Sequence, residues 1–193
     1  NSLLKIAIGP FVIILGAGLG ITIWTVVSPS LGRYSSLESM IEKAHESQQD
    51  LKQEYYKGNA FDIGSFEKTP AGIIAKFPEA TIAGLFRPFI WETNNMQMVV
   101  SGLENLFILC FTLFFLIRTP ISFFKQIIEN PLVLFCIVFS VMFAFAVGIS
   151  TSNFGALVRF KIPLWPFYLS ALFIINHHRI KYKLTARSQD TMW

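Results

Sequence analysis

Four long stretches of this chain are almost free of charge, and polar segments separate them. Residues 6–32 carry no charged side chain, residues 93–117 are interrupted only by Glu104, and residues 130–158 and 162–176 again carry none. Crossing the apolar core of a bilayer takes roughly 20 residues of helix. Three runs exceed that length, and the fourth is shorter and closes on His177 and His178. The pattern predicts an all-α, polytopic integral membrane protein with about four transmembrane helices, at residues 3–27, 97–117, 131–150 and 162–178.

The segment between the first two spans, residues 28–96, has a different rhythm. Leu37, Met40, Ile41, Ala44, Gln48, Leu51 and Tyr55 recur at helical spacing with charges on the opposite side, which predicts an amphipathic helix over 35–57. Ser35 followed by Glu38 reads as a capping box at its start and Gly58 as its stop. Such a helix lies on the rest of the protein or on the membrane surface. Thr69-Pro70 and Phe77-Pro78 read as two further helix starts, since proline is tolerated in the first turn. The apolar stretches behind them are too short to span, so interfacial helices are expected within 69–90. In "FRPFIWE", Phe86, Phe89 and Trp91 suit the headgroup region, and Pro88 brings Arg87 and Glu92 close together.

Composition agrees, with 53% hydrophobic and 15% aromatic residues in 193, more than a soluble domain carries. The first run is too long for a signal-peptide core and has neither a basic leader nor a small-residue cleavage site. As the chain starts with Asn rather than Met, it is expected to be the C-terminal piece of a longer protein or a processed chain. Arg179, Lys181, Lys183 and Arg187 in the tail at 179–193, with Arg118 and Lys125 after the second span, predict that these segments are cytoplasmic. Residues 28–96 and 151–161 then face outside, where Arg159 and Lys161 violate the positive-inside rule. The net charge of +4 is modest and concentrated in the juxtamembrane tail, which suits anionic lipid rather than nucleic acid. Cys110 and Cys136 fall inside spans, and no cysteine or histidine pattern matches a metal site or calls for a cofactor. His177 and His178 read as an interfacial anchor.

Certain polar residues are costly where they stand. An ionised Glu104 two turns into the second span is penalised by roughly 2.5 to 3.5 kcal/mol on insertion scales. Arg159 and Lys161, read as the N-terminal end of the fourth span, meet the positive end of the helix dipole. Both observations call for partners, and a structural ion pair between Glu104 and Arg159 is expected. The other candidate anions are Glu92, a lipid phosphate and an anionic substrate held by the cations and by backbone amides. Asn153 and Gly155 add to the last option, because they permit a tight turn whose backbone approaches a phosphate.

The segments "FRPFIWE", "GLENLFIL" and "STSNFGALVRFKIPLWPF" resemble the C-terminal part of large bacterial membrane proteins from cell-surface polysaccharide systems, similar to O-antigen polymerases or to glycosyltransferases that use polyprenyl-phosphate sugars. The resemblance spans residues 60–178. It implies the bacterial inner membrane and handling of a polyprenyl-(di)phosphate-linked saccharide at the outer face. Arg87 and Arg159 match, by chemistry, the arginines with which such polymerases hold their lipid-linked substrate. The acidic base of the transferases is expected near their N-terminus, outside this chain. On the enzyme reading, Arg87, Arg159, Lys161 and Asn153 bind the phosphate or substrate, and Glu92 or Glu104 serves as acid or base. On the alternative reading, the chain is a non-enzymatic transporter or a scaffolding subunit that meets membrane lipids, its own N-terminal part or other envelope membrane proteins.

Overall fold

The computed structural model describes Leu15 and residues 18–51, 58–118 and 120–190. Most of the expected first span, residues 3–27, therefore lies outside the described residues; what is described of it belongs to a short apolar helix, Gly18–Gly32, whose side chains are exposed. Helices α1 (Leu37–Asp50), α2 (Pro70–Ala75) and α3 (Phe77–Phe86) follow, then α4 (Met96–Arg118), α5 (Pro120–Glu129), α6 (Pro131–Ser150), α7 (Phe154–Phe160) and α8 (Trp165–Asp190). Among the described residues, three helices are long and apolar enough to cross a membrane: α4, α6 and the combined run Phe154–Ile180. The chain is an all-α, multi-pass membrane protein, and among the described residues there are no strands.

Local chemistry sets most helix starts. Thr69 accepts a hydrogen bond from Gly72 N at 3.0 Å and Asn130 from Leu132 N at 3.1 Å, each satisfying amides that the first turn leaves open. The cap of α1 is Ser36 rather than the expected Ser35. Ser36 is extended, as a cap must be, whereas Ser35 already has helical dihedrals. The box closes through Ser39, not Glu38, with Ser39 N donating to Ser36 Oγ at 3.2 Å and Ser36 N to Ser39 Oγ at 3.1 Å. Helix α5 occupies what the charge pattern suggested was only a loop, with Phe123 buried against the bundle. The last helix does not stop at His178 but runs on to Asp190.

The centre of the fold is an unusually close contact between α3 and α6. Ala80 and Gly84 on α3 meet Ala144 and Gly148 on α6, with Gly84 against the backbone of Ala144 and Gly148 against the backbone of Ala80. Two small-xxx-small pairs thus interlock, bringing the helix backbones together where van der Waals contact drives association in lipid. The matching order shows that the helices run antiparallel. Gly84 therefore lies about 9 Å along α6 from its end at Ser150.

The chain then turns back through a cis Arg87-Pro88 peptide and a short 3-10 turn, Ile90–Glu92. It returns alongside the first turns of α4, where Ile90 and Thr93 flank Gly102. The expected interfacial segment is thus a re-entrant hairpin, which enters and leaves on the side where α4 begins and α6 ends.

Candidate functional site

Arg87 stands just past the end of α3, and its backbone there is extended. Its guanidinium grips Glu92 in a forked ion pair, Nε donating to Oε1 at 3.0 Å and Oε2 at 3.1 Å while Nη2 also reaches Oε1. Nη1 donates to Asp62 O at 3.2 Å. The cation also lies over two aromatic faces, 4.7 Å from Phe61 and 5.6 Å from Phe154. Those rings stack on each other because Phe61 N donates to Ser152 O and Phe154 N to Asn59 O, joining the loop after residue 58 to the segment before α7. Glu92 completes the turn by accepting from Phe89 N at 2.9 Å. A planar fork, a desolvated carboxylate and two ring faces make this the most strongly bonded charge in the site.

Lys161 is 2% exposed. Its ammonium donates to Arg87 O at 2.8 Å and to Asn105 Oδ1 at 2.7 Å, and it faces the Trp165 ring at 5.1 Å. Asn105 Nδ2 in turn donates to Pro88 O at 3.2 Å. The two carbonyls of the re-entrant turn are therefore both satisfied. This matters because Asn105 lies about 14 Å along α4 from Met96, and non-helical backbone at such depth persists only where protein or a water-filled cavity surrounds it.

The expected ion pair between Glu104 and Arg159 is not formed. Successive residues on a helix are about 100° apart, so burying Asn105 turns Glu104 outward, and burying Lys161 turns Arg159, two positions back, outward as well. Arg159 Nε donates to Gly155 O at 3.0 Å, and among the described residues no carboxylate lies within ion-pair distance of Arg159. The unfavourable dipole placement is likewise corrected: Arg159 and Lys161 end α7, a separate short helix, and a cation at a C-terminus is favoured.

Asn153 is buried as the cap of α7, its Oδ1 accepting from Gly155 N at 2.9 Å and Ala156 N at 3.2 Å. The amides expected to approach a phosphate are thus occupied by the protein itself. Asn153→Ala should cost about 1 kcal/mol of stability, seen as a lower unfolding midpoint in detergent, whereas Asn153→Asp should keep most of it.

A cavity of about 900 Å³, lined by none of these residues, opens between α1, α2 and the end of α6. Ile41, Ile73, Phe145, Ile149 and Phe160 form its apolar walls, and Lys43, Ser47 and Asp50 bring polar groups to it. At Ala146 it adjoins an apolar trough of about 720 Å³ running along the outer side of α6 from Pro131. Among the described residues no group of three or more His, Cys, Asp or Glu side chains is placed to hold a metal ion. Comparison with protein-family models, curated proteins and solved structures finds no match.

Of the residues expected to form one site, the structure brings Arg87, Glu92 and Lys161 together and leaves Arg159 and Glu104 on the outside. Asn105 and Trp165 were missed as contributors. Trp165 follows Lys161 by four residues, one helical turn, a spacing that does carry a signal.

Proposed function

We propose that this chain is a membrane component of bacterial envelope polysaccharide biosynthesis that holds a polyprenyl-(di)phosphate-linked saccharide at the outer face of the inner membrane. The observation that supports this is the cavity between α1, α2 and α6, with apolar walls, polar groups among its lining residues and a trough adjoining it along the spanning helix. A polyprenyl chain requires apolar walls it can enter from the bilayer, and its phosphate requires donors. The charge distribution of tail and loops puts that end of α6 outside. Arg159, exposed and adjacent in sequence to Phe160 of the cavity wall, is the cation for the phosphate. Glu104 is the carboxylate left for acid or base chemistry. Arg87, Lys161, Glu92 and Asn153 position the elements around it.

Capture of a photoactivatable polyprenyl phosphate by the membrane-embedded protein tests this. Arg159→Ala is expected to weaken capture about tenfold, and Ile149→Trp, which fills the cavity, to abolish it. Labelling unchanged by both substitutions would sink the reading.

A non-enzymatic transporter or scaffold is the second reading. The internal bonding of Arg87, Glu92 and Lys161 favours it, because these charges are already engaged by the protein itself. Glu104→Gln separates the two: surface polysaccharide is lost if Glu104 is an acid or base and unchanged if the chain only carries or scaffolds.

A further inference from the structure

The end of a re-entrant helix and the break in the last span meet in this protein. Helix α3 ends at the Arg87-Pro88 turn, and the last span breaks between α7 and α8 through a 3-10 turn, Ile162–Leu164. Where broken helices meet at depth in membrane proteins, the exposed carbonyl end of a half-helix commonly attracts a small cation. Here the carbonyl of Arg87 and the amide oxygen of Asn105 converge, with the face of Trp165 beside them. That is two oxygens and a π face around one point, and the Lys161 ammonium occupies it.

We infer that this point is a monovalent-cation site whose ligand is built in. Lys161 takes the place of a bound alkali or ammonium ion, and its charge, rather than the bulk of its chain, holds the re-entrant hairpin in the bundle. The geometry favours an ion over a plain packing residue. Both acceptors belong to residues held in place, Arg87 by the bonds of its guanidinium to Glu92 and Asp62 O and Asn105 by its bond to Pro88 O at 3.2 Å. The side chain is 2% exposed, so water cannot replace it at those oxygens. The inference does not depend on the lipid-linked saccharide.

The test uses the full chain in detergent and reads the unfolding midpoint. Lys161→Met keeps most of the chain and removes the charge, and it should lower the midpoint by about 5 °C or more. Lys161→Ala vacates both the chain and the site. Millimolar propylammonium, the excised group, should restore much of its loss, while 1-propanol of equal size should not. Asn105→Leu, which removes the oxygen together with the donor to Pro88 O and leaves Lys161 in place, should also lower the midpoint, and Asn105→Asp, which keeps an oxygen for Lys161 and loses only that donor, should lower it less. A Lys161→Met protein that melts with the wild type, rescue by 1-propanol equal to that by propylammonium, or an Asn105→Leu protein without loss would each overturn the inference. If Lys161→Ala does not accumulate, the Met and Asn105 variants decide.

Discussion

Gly148→Leu is expected to leave little folded protein, and Gly148→Ala to lower stability by more than about 3 kcal/mol, above the usual range for an overfilled core. The reason lies in the backbone. A Cβ on Gly148 would collide with the carbonyl oxygen of Ala80, and one on Gly84 with the carbonyl oxygen of Ala144. No rotamer change relieves a clash with main chain, so α3 and α6 must move apart. Once apart, they lose the close packing that holds a short helix in lipid, where no hydrophobic force draws helices together. The hairpin cannot then keep Pro88 O and Arg87 O beside their donors, and unsatisfied carbonyls inside the membrane are expensive. Gly84→Leu should reproduce the effect. Gly20→Ala is the control, because a Cβ there meets nothing within 4 Å. Size-exclusion profiles and unfolding midpoints of the detergent-solubilised variants read the outcome. A monodisperse Gly148→Ala protein with an unchanged midpoint would refute the contact.

Breaking the Arg87–Glu92 pair has the second largest expected effect. Both side chains are about four-fifths buried, 19% and 18% exposed, so removing one partner strands the other in a poorly solvated site. That costs about 3 kcal/mol, somewhat less here because part of each group still reaches solvent. Arg87→Ala should cost more than Glu92→Ala, since the guanidinium also holds Asp62 O and lies over Phe61 and Phe154. Arg87→Lys should recover little, because an ammonium cannot reproduce the fork. The double alanine variant should lose less than the sum of the singles, by a coupling of about 1 to 3 kcal/mol. Strict additivity would show that the two residues act independently, contrary to the geometry.

Of the polar groups that were costly by sequence, Arg159 and Lys161 find partners other than those expected, and Glu104 faces outward. Glu104 drew attention because it is charged within an apolar run. Its neutral neighbour Asn105 is the residue that enters the site, reaching Lys161 and Pro88. Charge shows which residue is expensive in lipid, but the direction a side chain takes around a helix is set by what packs against the other faces. Arg159 and Lys161 looked like a pair and face different ways, because two steps around a helix make about 200°. Arg87 and Glu92 were legible as neighbours, since Pro88 leaves few ways to separate them. The contacts of Arg87 with Asp62 O and with the rings of Phe61 and Phe154 come from chain 25 or more positions away, beyond any local pattern.

The small-residue spacing at Ala80 and Gly84, and at Ala144 and Gly148, was present in the sequence as two small-xxx-small motifs. Each alone is weak evidence. Only their meeting, in opposite order, turns a segment too short to span into a re-entrant helix.

What the sequence by itself determined is where this chain enters lipid. A run of uncharged residues carries its transfer free energy whatever its neighbours do, so the spans at α4 and α6 were readable almost to their ends. The starts of α2 and α6, capped by Thr69 and Asn130, and the proline-marked start of α3 were equally local. The tertiary structure alone decided which polar groups meet, how deep the 87–92 turn lies and that Lys161 is buried rather than at the surface. Those outcomes depend on the rotation and depth of each helix against its neighbours, and here that was set by backbone contact between α3 and α6, which no single segment encodes.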